Sequence, residues 1–545
     1  MAQSSTNSST SSGTDSPVPR RRPCAAWTGE SVPEFGDVPR RRPCAAWTGE
    51  SVPAFGDVPR RRLRAAWTGE SVPAFGDVPR RRLCAAWTGE SVPELGEVPK
   101  RRLSPAWTGK SVPGFVLLLL LACLPLGAEI RTLTILHLND LHARLSPLEN
   151  HHGGFASLAS LIRRERANCT DCILVNAGDI AQGTPVSTIF HGLPVFEIVN
   201  LFGLDAFTLG NHDFDYGWMQ ARKFVEVAKY PTVSCNVVGA DGKLFTKPYV
   251  LLTVNGLRVA IIGAMTDTLN GLQFQKLMGE WHTVPFLDAS RKLAAELKTR
   301  SDLVVLLAHI TPEEETHALA SATEIPIMVT GHMHNGLSEP KLQDGRILVR
   351  VKGYGEELGR LELKVDTAKK APVSHTWKHI LVDSAAIEPA PDVAREVRHW
   401  EDEVKAQVDR PLAVSKRAFT KREVKGLIEQ AMRTETGADF AFMNQGGVRD
   451  TIPEGQLLER NIWDVMPFDN RVVFGKFKGR ELPPVVLGDR QVEPDRDYTL
   501  AVSDFTAANQ GTRENLQTTG LEFPGDSGLL RDLLIDWFRK KKVIE

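Results

Sequence analysis

Leu209-Gly-Asn-His-Asp-Phe-Asp-Tyr-Gly217 (LGNHDFDYG) sets an amide, an imidazole and two carboxylates within five residues. The preceding Asp205-Ala-Phe-Thr-Leu209 reads as a short strand, and residues 218–229 have helical spacing. A polar knot between a strand and a helix is either an ordinary surface turn or one wall of a reaction centre. How the other strands end decides between the two. Leu133-Thr-Ile-Leu-His-Leu138 runs into Asn139-Asp140-Leu-His142, and Cys172-Ile-Leu-Val-Asn176 into Gly178-Asp179. Leu303-Val-Val-Leu-Leu307 runs into Ala308-His309, and Ile325-Pro-Ile-Met-Val-Thr330 into Gly331-His332-Met-His334. Five strands thus each deliver Asp, Asn or His at their carboxyl ends, and such ends converge at one edge of an open α/β sheet. Helical patterns cover 155–166, 194–202 and 289–298, a hairpin turns at Asn255-Gly256, and paired strands fill 346–366. The alternation predicts an α/β domain over residues 130–370, a linker over 371–410 with a polar helix from 392, and a second α/β segment over 411–545.

The strand ends collect Asp140, His142, Asp179, Asn211, His309, His332 and His334. These are nitrogen and oxygen donors without thiolate, which suits Zn, Mn, Fe or Co. Seven donors exceed what one tetrahedral ion takes. They suit two divalent metal ions sharing a carboxylate, an arrangement that clamps the attacking and the leaving oxygen of an in-line phosphoryl displacement. Each motif alone is weak: Asp-x-His is common, and a lone His309 reads first as a satisfied core histidine. The ordered set carries the reading.

Asp140-Leu-His142, Gly178-Asp179, Gly210-Asn-His-Asp213, Ala308-His309 and Gly331-His-Met-His334 resemble, in order, the motifs of calcineurin-like metallophosphoesterases. Phe442-Met-Asn-Gln-Gly-Gly-Val-Arg449 and Met466-Pro-Phe-Asp-Asn470 resemble the C-terminal substrate domain of the 5′-nucleotidase family, which includes UDP-sugar hydrolases and cyclic phosphodiesterase/3′-nucleotidases. The resemblance spans residues 130–535. It implies a four-layer αββα metallophosphoesterase domain followed by a C-terminal α/β substrate-binding domain. It also implies that Asp140, His142, Asp179 and His334 hold one metal, and that Asp179, Asn211, His309 and His332 hold the other. Many relatives have Gln where this chain has His334. In the same scheme His212 is catalytic, contacting the phosphoryl group, and Asp215 orients its ring; alone, they read as a turn residue and a helix cap. Asp213 receives no role beyond bracing the loop.

For substrate, the resemblance points to Asn444, Gly446, Gly447 and Arg449 as a loop meeting the nucleotide, and to Phe468 and Phe505 as an aromatic pair stacking on the base, with Asn470 beside them. Lys416, Arg417, Lys421 and Arg422 crowd a region where the family places further arginines. After Phe505 relatives commonly carry an acid for the ribose hydroxyls; here Thr512 falls at that place.

The 545 residues have a formal net charge of -1, which does not favour a nucleic-acid partner. The even balance hides a basic block: between Val18 and Phe115 stand 17 Lys and Arg against 10 Asp and Glu. That block is a 20-residue repeat, VPRRRPCAAWTGESVPEFGD, starting at Val18, Val38, Val58, Val78 and Val98. Its prolines and scarce apolar residues do not suit solenoid stacking, so residues 1–114 are expected to be disordered. Residues 115–128 (FVLLLLLACLPLGA) form a short apolar run after Lys100, Arg101, Arg102 and Lys110, as in a signal peptide, with a start codon expected near residues 98–112. Export is expected, with cleavage near Ala128 or a lipid anchor at Cys123 as the membrane attachment. Cys169-Thr-Asp-Cys172 is a lone C-x-x-C, and in an exported chain it is expected to close a small disulfide.

The resulting expectation is an exported dimetal phosphohydrolase that cleaves nucleoside 5′-monophosphates by attack of metal-bound hydroxide. The alternatives are a 2′,3′-cyclic phosphodiesterase/3′-nucleotidase or UDP-sugar hydrolase on the same scaffold, a remoter thiosulfohydrolase, and a non-catalytic exported binding protein.

Overall fold

The computed structural model describes residues 129–545, which fall within one compact unit. The expectations for the repeats, the apolar run and Cys123 lie outside the described residues. Among the described residues no helix is long and apolar enough to cross a membrane.

Two six-stranded sheets face each other in the first half. One contains β1 (Ile130–Leu138), β2 (Cys172–Asn176), β3 (Ala206–Thr208) and β4 (Thr232–Val233), parallel and in that order, as expected for strands linked by helical crossovers. The other contains β5 (Tyr249–Val254), β6 (Leu257–Met265), β7 (Leu303–His309), β8 (Ile327–Gly331), β9 (Lys341–Gln343) and β10 (Arg346–Val349), in the order β9-β10-β8-β7-β6-β5. Antiparallel β11 (Glu357–Asp366) and β12 (Ala371–Leu381) complete the first sheet beside β1. β5 and β6 form the expected hairpin, with Asn255 at φ 49° and Gly256 at φ 71°, the two positive φ values of a type I′ turn.

The sheets bury alternate residues against each other: Leu133 and Ile135 of β1, Ile173 and Val175 of β2, Val305 and Leu307 of β7, and Ile327 and Val329 of β8 share one cluster. Their other faces are covered by helices. Phe155–Ala167 packs Leu158, Leu161 and Ile162 on the first sheet, and Phe286–Leu297 packs Leu287 and Ala294 on the second. This is the four-layer αββα sandwich.

The linker expected over 371–410 needs correction. Residues 371–381 are β12, an edge strand whose polar outer face hid it from the pattern. The helix Pro391–Val408 is also no free spacer, because Val393, Val397, Val404 and Val408 join the core of the sandwich. Beyond it, a four-stranded sheet (Phe440–Phe442, Asp497–Ser503, Arg471–Lys478, Gly525–Leu529) and a three-stranded one form the second α/β layer set. Its helix Lys421–Thr436 starts on a capping box, Thr420 with Glu423, and stops at left-handed Gly437.

The disulfide expectation is also corrected. Cys169 and Cys172 are free thiols. The Cys172 thiol donates to the Cys169 carbonyl at 3.4 Å and the Cys169 thiol to the Asp171 carboxylate at 3.5 Å, so each is turned to an oxygen and not to the other sulfur.

Candidate metal centre and substrate cavity

β1, β2 and β3 of one sheet and β7 and β8 of the other point their carboxyl ends to the same edge, and all seven predicted ligands meet there. Asp140, Asp179 and His309 are fully buried, and His142 and Asn211 nearly so. Asp140, His142, Asp179, His332 and His334 all have positive φ, between 47° and 89°. Asp and His tolerate this region better than most residues, but five together mark a backbone bent to aim side chains inward. Space is equally tight: a Cβ at Gly210 would collide with the Asp179 carboxylate.

Backbone groups hold the rings. His309 Nδ1 lies 2.8 Å from the Ala177 carbonyl and His142 Nδ1 3.2 Å from that of Gln182, leaving both Nε2 atoms for the centre. The amide of His332 donates to both Asp140 oxygens, at 2.9 and 3.0 Å. Two groups of donors result. In the first, His142 Nε2 and His334 Nε2 face each other at 2.8 Å, and one donor atom each from Asp140, His142, Asp179 and His334 lies within 4.8 Å of the others. In the second, Asn211 Oδ1 lies 2.9 Å from His332 Nδ1 and 3.1 Å from His309 Nε2. Asp179 Oδ2 joins them, 3.6 Å from His142 Nε2 and 3.1 Å from His309 Nε2, yet it is buried without a well-directed hydrogen bond.

Burial pushes His332 down to about 3 and His142 and His334 well below the usual histidine range, so their lone pairs are free at neutral pH. Burial opposes the charge on Asp179, but His309 and His212 hold it well below the usual carboxylate range. His309, despite its own burial, is raised to about 9 by Asp179. The neutral nitrogens of His142, His332 and His334, set about an ionised carboxylate oxygen that lacks a well-directed hydrogen bond, are a donor set that divalent cations fit.

His212 stands at the rim. Its Nδ1 lies 2.8 Å from Asp215 Oδ2, and Gln273 Nε2 donates to Asp215 Oδ1 at 2.7 Å and to the Asn211 carbonyl at 2.8 Å. Asp213 braces the loops by accepting the amides of Gly210, Asp179, Ile180 and Ala181 at 2.8 to 3.1 Å.

A cavity of about 520 Å³ opens from this edge into the second domain, within the size range of small-ligand sites. Asn444, Gly446, Gly447, Arg449, Phe468, Asn470 and Phe505 all line it, as do His212, Asp215, Asp179, Asn211, His332 and His334. Arg449 crosses the seam, its Nη2 3.3 Å from His142 Nε2 and its guanidinium 5.9 Å from the Phe468 ring centroid. Asn444 Oδ1, and both amide atoms of Gln182, are buried in the wall without partners.

Some expectations shift. Thr512 does not line the cavity; its hydroxyl binds Asn509 and Asn515 within its own loop. The carboxylates facing the cavity from that domain are Glu514, Asp504 and Asp469. Of the four crowded cations, Arg417 pairs with Glu423 and Lys416 with Glu545, whereas Lys421 approaches Tyr354, whose hydroxyl meets His334 Nδ1 at 3.0 Å. Gln182, Gln273, Tyr354 and Glu514 were not found from the sequence. Gln182 alone had a signal, three residues after Asp179.

Two family models match: calcineurin-like phosphoesterase over residues 133–336 and the 5′-nucleotidase C-terminal domain over residues 403–486. The chain is 24% identical over 414 residues to the endonuclease YhcR of Bacillus subtilis, covering 69% of this chain but only 34% of that protein. It thus spans about a third of that relative's length. With the 5′-nucleotidase of Vibrio cholerae it shares 25% identity over 470 residues, 69% of this chain and 84% of the relative. The solved 5′-nucleotidase precursor of Thermus thermophilus has the same fold, with a TM-score of 0.69 at 22% identity over 76% of this chain and 97% of that one. The order of the motifs, the shared edge where they meet and the pairing of a calcineurin-like phosphoesterase domain with a 5′-nucleotidase C-terminal domain make this chain a phosphoric ester hydrolase similar to the 5′-nucleotidases.

Proposed function

We propose that the chain hydrolyses nucleoside 5′-monophosphates outside the cytoplasm, using two divalent cations. The carrying observation is that the donor cluster and an aromatic slot open into one cavity, with Arg449 reaching across to His142. Asp140, His142, Asp179 and His334 would hold one ion, and Asp179, Asn211, His309 and His332 the other. When bound, such ions supply Lewis acidity and acidify a water toward neutral pH.

The chain's own groups do the rest. Asp215 fixes the ring of His212 through Nδ1, so that Nε2 faces the cavity and meets the leaving oxygen. Arg449 offers a planar fork to phosphoryl oxygens. Phe468 and Phe505 provide faces for a base, and the partnerless Asn444 Oδ1 a buried acceptor. Glu514 supplies the charged acceptor for a ribose diol that Thr512 does not. The relatives named 5′-nucleotidase support the substrate class, and the apolar run over 115–128 behind its basic flank supports export.

The test is a panel run with Zn, Mn, Fe and Co: AMP, UMP, UDP-glucose, 2′,3′-cyclic AMP, thiosulfate and single-stranded DNA. The monophosphates are expected to show the highest kcat/KM. A higher value for any other substrate overturns the reading.

A further inference from the structure

Gln273 and Phe274 belong to neither the strand-end motifs nor the second domain, yet both line the cavity. They sit between two short helices, Leu269–Leu272 and Gln275–Met278, whose Leu269 and Met278 are fully buried, with Trp281 just beyond. The segment is therefore pinned to the catalytic core at both ends. Gln273 points inward, and its one amide nitrogen reaches both the Asp215 carboxylate and the Asn211 carbonyl. The next residue points the other way. The half-buried ring of Phe274 meets Phe505 of the second domain edge-to-face, with centroids 5.8 Å apart and planes at 89°. Lys276 Nζ lies 5.1 Å over the same ring.

We propose that Phe274 is a specificity-determining third wall of the leaving-group slot, contributed by the catalytic domain, and that Gln273 anchors it to the His212–Asp215 pair. This rests on the reading of the cavity as a nucleotide site. The edge-to-face contact buttresses the Phe505 ring and leaves at least one of its faces uncovered by Phe274 for a planar group. Because the anchor and the wall are adjacent residues, a base seated in the slot bears on the same short segment that positions Asp215. A planar aromatic leaving group is thereby selected over a flexible one.

The experiment uses the full chain with metal supplied, as wild type, Phe274→Ala, Phe274→Leu and Phe274→Tyr. Adenosine binding is measured by calorimetry and AMP turnover by phosphate release. Loss of the ring should weaken adenosine binding about five- to tenfold and raise KM for AMP by a similar factor, with kcat changing less. Phe274→Tyr should restore both. If Phe274→Leu, which keeps an apolar side chain in place, binds adenosine as tightly as wild type, the proposal is overturned; so it is if wild type binds no adenosine. If wild type binds adenosine but releases no phosphate from AMP, the substrate reading fails, and the binding series still decides whether Phe274 is a wall of the slot.

Discussion

The two walls of the cavity are built on opposite terms. On the metal side, Asp140, His142, Asp179, Asn211 and His309 are buried, backbone carbonyls hold the His142 and His309 rings, five of the seven predicted ligands are bent into left-handed conformations, and Gly210 leaves no room for a side chain. On the substrate side, Phe468, Phe505 and Arg449 are half-exposed, and Glu514 is exposed. Charge development at phosphorus needs groups already in place, because reorganising them would raise the barrier. Binding a leaving group needs apolar faces and a few directional contacts, which half-exposed side chains provide. The contrast says that chemistry should fail steeply when the first wall is touched and affinity should fade gradually when the second is.

The harshest way to break the contrast is Asp179→Ala, which removes the carboxylate placed between both donor groups. Phosphate release should fall at least about a thousandfold, the loss of several kcal/mol of charge stabilisation. Metal content by mass spectrometry should fall with it, and retention of both would place the centre elsewhere. One step out, His212→Ala and Asp215→Asn should each lower kcat by about 10²- to 10³-fold with bound metal unchanged. A fall confined to KM would instead make the pair a binding element.

The core beneath the metal wall can be tested by pH. His137 on β1 is fully buried, and that burial lowers its pKa to about 3. The unfolded chain therefore binds a proton that the folded chain refuses between pH 6.5 and 3. The stabilisation is complete above pH 6.5 and is lost as pH falls. From pH 7 to 5 this one residue should destabilise the fold by about 2 kcal/mol. Urea titration of His137→Gln beside wild type should show a flatter acid limb; parallel limbs would refute the assignment.

The substrate wall should give the smallest effects. Glu514→Gln should raise KM for AMP about three- to tenfold, the scale of one partly solvated charged hydrogen bond. Thr512→Ala should leave KM within about twofold, because its hydroxyl is engaged inside its own loop. The reverse order would restore Thr512 to the ribose site.

The same contrast explains what could be read from the sequence. Parallel strands end at one edge, so Asp140, Asp179, Asn211, His309 and His332 could be gathered from local patterns alone, and an α/β domain followed from the alternation of strands and helices; its four-layer form came only through the family resemblance. The substrate contacts were named only through a family resemblance, since a phenylalanine in a loop carries no periodic signal. Gln273 and Tyr354 were invisible because their importance lies in contacts 58 residues from Asp215 and 20 from His334. β12 was missed because an edge strand with a polar face resembles a linker, and the C-x-x-C spacing says nothing of where two thiols turn.

The left-handed backbone at Asp140, His142, Asp179, His332 and His334 also limits how this centre can drift over evolutionary time. At such φ values a β-branched replacement is a steric outlier. Neutral exchange at these five sites is therefore channelled toward Asn, Asp, His and Gly, three of which are themselves metal donors. The backbone thus filters mutations in favour of keeping a donor, so the motif would outlast changes in which metal it holds.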